Sequence, residues 1–78
     1  MFDPRAANHI DHHVARLIGE RRKALGWSQL ALAECVGVSW QQISKYETGA
    51  NRVSAGRLAE LARALNVTPA YFFEGAAI

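Results

Sequence analysis

Apolar residues along this chain recur at spacings of three and four, with no alternating stretch that would make a strand. Val14, Leu17, Ile18 and Leu25 share one face of a first helix, which Asp11 can cap and Gly26 can end in the left-handed conformation. Ser28 can cap a second helix, from Gln29 to about Val36, that Gly37 breaks. Ser39-Trp40-Gln41-Gln42 has the Ser-x-x-Gln spacing of a capping box, so a third helix should open at Trp40, reach about Glu47 and stop at Thr48-Gly49. After a loop over 49–53, Ser54 can cap a fourth helix that buries Leu58, Leu61, Ala62 and Leu65, with Asn66 as its left-handed terminator. Thr68-Pro69 sets a cap before a proline at the first helical position and predicts a short fifth helix ending near Gly75. Residues 1–10 show no periodicity and read as a flexible arm, in which Asp3-Pro4 can start a turn. The folded domain is then 11–75 and the tail 76–78.

With 78 residues the chain makes one domain. A domain this small buries only about 60% of its unfolded surface, so its core is modest. Cys35 is the only cysteine, which excludes an internal disulfide and suits a reducing cytoplasm; late in the second helix it reads as half-buried packing. Met1 to Ile10 carries no apolar core, and no apolar run approaches the roughly 20 residues of a membrane span. The cytoplasm is therefore the expected compartment, with no membrane partner.

The net charge is only +2, so distribution matters more than total. Arg16, Arg21, Arg22 and Lys23 crowd one segment, and Lys45 and Arg52 lie further on; such clustering favours a polyanion, although a solvated helix face has the same pattern. His9, His12 and His13 have helical spacing, but the lone thiol and the lack of a second ligand group favour exposed histidines over a metal site. Asp11-His12-His13 looks like part of a phosphoesterase motif, without the size or the other carboxylates such an enzyme needs. There is no glycine-rich phosphate loop and no Ser-His-Asp constellation. No cofactor and no catalysis are expected.

The stretch Gln29 to Tyr46 carries the most information. Ala33 permits a close helix crossing, Gly37 lets the chain leave the second helix, and Leu32, Val36, Val38, Ile43 and Tyr46 supply apolar anchors. These spacings make a helix-turn-helix, with the second of its helices free to lie on something polar. Further signs are Arg22 four residues before Gly26, the Ser28-Gln29 start, Gly37-Val38-Ser39, Ile43-Ser44, Tyr46-Glu47-Thr48-Gly49 and the run Leu58 to Val67. From about Val14 to Phe73 the chain resembles the phage-repressor-like, XRE-type helix-turn-helix domains, and Lys45 to Leu58 looks especially like bacterial regulators of that family.

The resemblance implies an all-α, lambda-repressor-like five-helix bundle that binds double-stranded DNA and regulates transcription. It implies a homodimer on a pseudo-palindromic operator, with repression by occlusion as the simplest outcome. The recognition helix would be Ser39–Tyr46, with Ser39, Trp40, Gln41, Ser44 and Lys45 facing bases. Gln29, Asn51 and Arg52 would touch the phosphate backbone; Arg22 and Glu47 would form an internal salt bridge from which Arg22 can also approach a phosphate.

Chemistry sharpens some of these roles and leaves others open. A glutamine amide pairs with the N6 and N7 edge of adenine, so Gln41 is the first choice for direct reading. Gln42 either turns back to the Ser39 amide or joins the phosphate contacts. Lys45 reaches guanine or phosphate, or is an ordinary surface lysine. Trp40 stands where relatives carry a polar reader; it either contacts thymine methyls or sugars, or packs on the second helix. Leu30 and Ala31 depart from the family's polar pattern. Of Phe72 and Phe73, one should seal the core and the other join Tyr71 in a possible dimer contact. With no sensor domain expected, control would come from concentration, a competing regulator or a protein partner such as polymerase. Two other readings stay open: an antitoxin that also binds a toxin, and an interaction module, built around Leu30 and Trp40, that no longer reads DNA.

Overall fold

The computed structural model describes residues 8–77; residues 1–7, including Asp3-Pro4, and residue 78 lie outside it. Its elements are α1 (His9–Ala24), α2 (Gln29–Val36), α3 (Trp40–Thr48), α4 (Ala55–Ala64) and a 3-10 turn (Pro69–Phe73). Among the described residues no helix is long and apolar enough to cross a membrane.

Local chemistry explains the boundaries. Ser28, Ser39 and Ser54 each accept the N–H three residues on, capping α2, α3 and α4 as expected. Gly37 (φ 74°) and Gly49 (φ 79°) close α2 and α3 in the left-handed region, and Asn66 (φ 58°) follows α4 in the same conformation. Two details differ from expectation. Helix α1 begins almost a turn earlier, because Asn8 is the cap: its Oδ1 accepts the N–H groups of Ile10 and Asp11, each at 3.0 Å. Asp11 is the third helical residue, and its Oδ2 accepts the Asn8 N–H at 2.9 Å, completing a capping box. His9 and Ile10, expected in the arm, therefore belong to α1, with Asn8 as its cap. At α3 only half of the expected box forms: Ser39 Oγ accepts the Gln42 N–H at 3.1 Å, and the Gln42 side chain makes no return bond.

The expected fifth helix is a 3-10 turn, which leaves four α-helices among the described residues. Pro69 presets its first turn, but Thr68 makes no side-chain cap bond and only five residues take part. The turn closes the bottom of the core. Helix α1 lies across α3 and the 3-10 turn, α2 packs on α3 and α4, and Ile18, Leu32, Ile43, Leu61, Leu65 and Phe72 are fully buried where they meet. Phe72 is thus core and is withdrawn from any dimer contact; Phe73 is exposed and Tyr71 half-buried, its ring edge-on to Phe72 at 5.4 Å.

The basic cluster on α1 is largely spent inside the domain. Arg21 Nε donates to the Leu65 carbonyl at 2.9 Å, at the end of α4, and Arg16 pairs with Glu20 at 2.8 Å. Arg57 on α4 likewise donates to the Val36 carbonyl at 2.9 Å, at the end of α2. The Arg21 and Arg57 bonds satisfy carbonyls that helix ends leave without partners. The histidines are also engaged. His9 and His13 donate from Nε2 to the carbonyls of Ala77 and Glu74, both at 2.7 Å, so the C-terminal segment lies against α1 through Ala77.

Emptying the site of a fully buried phenylalanine removes transfer energy and leaves a cavity. Phe72→Ala should cost about 3–5 kcal/mol in urea unfolding, while Phe73→Ala should cost less than about 1 kcal/mol.

Candidate nucleic-acid interface

The turn between α2 and α3 is closed by one carbonyl. Ala33 O accepts the N–H of Gly37 at 2.9 Å and of Val38 at 3.1 Å, so the chain reverses sharply and Ser39 can start α3 at once. Ala33 is buried, and its small side chain lets the helices cross closely. Ile43 and Tyr46 point into the core. Helical geometry then puts Trp40, Gln41, Ser44 and Lys45 together on the opposite side. Gln41 and Lys45 are exposed, Ser44 is partly covered, and Trp40 is 48% exposed, too open to serve only as packing on α2. With Ser39 at the cap, the five residues expected to face bases form one surface. Thr48 extends it by another turn; the repeat of four from Trp40 and Ser44 is the signal that points to it.

A buried ion pair holds this helix. Arg22 Nε donates to Glu47 Oε2 at 2.6 Å, Arg22 Nη2 donates to Glu47 Oε1 at 3.0 Å, and Arg22 Nη1 donates to the Trp27 carbonyl at 2.7 Å. The Glu47 hydrogen bond and charge raise the arginine pKa against the opposing effect of burial, so the guanidinium stays charged. Glu47 Oε1 also accepts Gln29 Nε2–H at 3.2 Å, which fixes the glutamine at the start of α2. Arg22 is only 8% exposed, and each of its nitrogens is engaged within the domain. Gly19 was missed by sequence reasoning: a Cβ there would stand 3.3 Å from Glu47 Oε1, and its absence makes room for the carboxylate.

Beyond α3 the loop folds back. The Asn51 N–H donates to the Lys45 carbonyl at 3.2 Å, leaving the residue exposed, and Arg52 Nε lies 3.0 Å from Asp11 Oδ2. On the other flank Leu30 is 54% exposed. Cys35 is exposed rather than half-buried, because α2 turns its Leu32, Ala33 and Val36 side to the core.

A four-helix domain with a capped, polar-faced α3 set tightly against α2 is, as a class, a helix-turn-helix domain. More narrowly, the chain belongs to the XRE-type, phage-repressor-like helix-turn-helix family, whose helix-turn-helix family model matches residues 18–72. It is 53% identical over 87% of its length to the HTH-type transcriptional regulator y4aM of Sinorhizobium fredii, covering 48% of that protein. It is 51% identical over 91% of its length to a transcriptional regulator in the ATPase CF(0) region of Rhodospirillum rubrum, covering 66% of it. The chain thus spans about half the length of the first of these relatives. Among solved structures, the P22 c2 repressor in complex with a synthetic operator superposes with a TM-score of 0.73 at 35% identity, over 80% of this chain and 94% of that one. The clp gene regulator ClgR of Corynebacterium glutamicum gives 0.81 at 28% identity, over 87% and 88%.

Removing one half of a buried pair strands the other. Glu47→Ala should destabilise the domain by about 3–5 kcal/mol in urea unfolding, and Arg22→Met with Glu47→Leu should recover most of the loss.

Proposed function

We propose that the chain is the DNA-reading part of a transcriptional regulator, with α3 entering the major groove. The observation that carries this reading is the outer face of α3: Trp40, Gln41, Ser44 and Lys45 stand together, exposed or partly so, on a helix held by the Arg22–Glu47 pair. Gln41 offers both a donor and an acceptor, the pairing an adenine edge requires. Lys45 lies one turn on, for guanine or a phosphate. Ser39 would stand at the groove entrance and Trp40 against sugars or thymine methyls. Gln29 and Gln42 near helix starts, with Asn51 and Arg52 in the loop, would hold the backbone.

The P22 c2 repressor has been solved with a synthetic operator, and its likeness to this chain supports the same mode. A single such domain reads few base pairs. The working species would therefore be a homodimer on a pseudo-palindrome, with half-sites about 34 Å apart, joined through Phe73 and the edge of Tyr71. Occupying an operator blocks polymerase without further chemistry, so repression is the simplest outcome. The exposed free thiol of Cys35 suits a reducing cytoplasm, where the DNA is.

Selection from random duplex DNA should enrich a pseudo-palindrome whose affinity falls steeply with salt. On that site Gln41→Ala should lose about 1–3 kcal/mol and relax one base position, while Lys45→Ala on a phosphate contact should lower the salt slope by about 1. An absence of enrichment and of salt-dependent binding would overturn the reading.

A further inference from the structure

The arginine that family resemblance sends to a phosphate already sits on an anion. Arg52 Nε lies 3.0 Å from Asp11 Oδ2, with the two side chains 37% and 27% exposed. The same oxygen accepts the Asn8 N–H at 2.9 Å, so the carboxylate is fixed by the helix that it helps to start. The loop opposite is fixed as well. Gly49 is buried beneath His12, whose Nδ1 would stand 2.5 Å from a Cβ at that position, and the Asn51 N–H is tied to the Lys45 carbonyl. With both backbones held, Arg52 can exchange Asp11 for another anion by side-chain rotation. A partly exposed ion pair is weak in water, so a DNA phosphate is a credible competitor.

We infer that Asp11 sets the overall DNA affinity of the domain by competing with the phosphate backbone for Arg52. This rests on the DNA-binding reading above and names a residue outside its contact surface. Asp11 occupies the guanidinium in the free domain, and DNA must displace it to gain that contact. Phosphate contacts carry no sequence information, so Asp11 governs the strength of binding and leaves the preferred sequence unchanged.

The test is Asp11→Asn, which keeps an oxygen for the Asn8 N–H and removes the charge. Its folding is checked by urea unfolding, and binding is measured across salt concentrations on the selected duplex and on a random duplex. The variant should bind both about two- to fivefold more tightly at low salt, the range that release of one surface ion pair allows. The slope of log affinity against log salt should change by less than the roughly 0.9 of a whole phosphate contact, because Arg52 reaches the backbone in both proteins. In an Arg52→Ala background the same substitution should change little. Affinity that stays level or falls in Asp11→Asn overturns the inference. So does a gain that persists undiminished without Arg52, which would be a general effect of charge. If the unaltered protein binds no duplex, the DNA reading itself fails, a result distinct from either of these.

Discussion

One carboxylate sets the geometry on which the rest of the structure depends. Glu47, on the inner side of α3, takes two hydrogen bonds from Arg22 of α1 and one from Gln29 of α2, and the arginine reaches on to the Trp27 carbonyl between those helices. Burying this pair costs desolvation, so it adds little net stability over apolar residues of the same shape. Its contribution is direction. Ile43 and Tyr46 would bury comparable area at several rotations of α3, because the hydrophobic effect is not directional. The paired guanidinium and carboxylate accept one geometry, and that geometry turns Trp40, Gln41, Ser44 and Lys45 outward. Gly19 completes the arrangement by leaving space where the carboxylate lies.

The same arginine chemistry changes the electrostatic picture. Most of the cluster that reads in sequence as a basic patch is engaged within the domain, Arg21 on the Leu65 carbonyl, Arg22 on Glu47 and Arg16 on Glu20, and Lys23 alone of the four is left exposed without a side-chain bond among the described residues. With a net charge of +2, little is left for a strong long-range field. The proposed contact with DNA then leans on short-range groups, such as the Gln41 amide and the N–H groups at helix starts. Those act only at contact distance, which makes two copies on one site the natural route to useful affinity.

What the sequence reveals depends on the range of the signal. Serine caps and terminal glycines act within a turn of the helix they bound, and the ends of α2, α3 and α4 were legible to within a residue or so. Helix α1 offered two overlapping signals, since Asn8 and Asp11 are both good caps and their spacing makes them partners. The segment after Pro69 is too short for its periodicity to separate helix from 3-10 turn, so Phe72 and Phe73 could not be assigned to inside and outside in advance. Leu30, Ala31 and Cys35 make α2 apolar on several sides, which hid the exposure of Cys35. The Arg22–Glu47 pair came from family resemblance; no spacing rule joins residues so far apart. The Asp11–Arg52 pair carried no local sign at all and became visible only in three dimensions.

That last pair shows what α1 does beyond filling the core. Near its end it grips Glu47 through Arg22; near its start Asp11 and His12 hold the loop that leaves the same helix, at Arg52 and Gly49. Sixteen residues of helix span about 24 Å, long enough to brace α3 and the following loop as one body. The backbone of the proposed reading surface is thus set before any ligand arrives, and adjustment is left to long side chains. Gln41 and Lys45 can search rotamers at little cost, and the Trp40 ring can pivot over what lies beneath it. Arg52 differs from these three, because its starting position is itself a bond. A surface so braced discriminates through side chains on a fixed frame, and its strength is tuned where one of them must first let go.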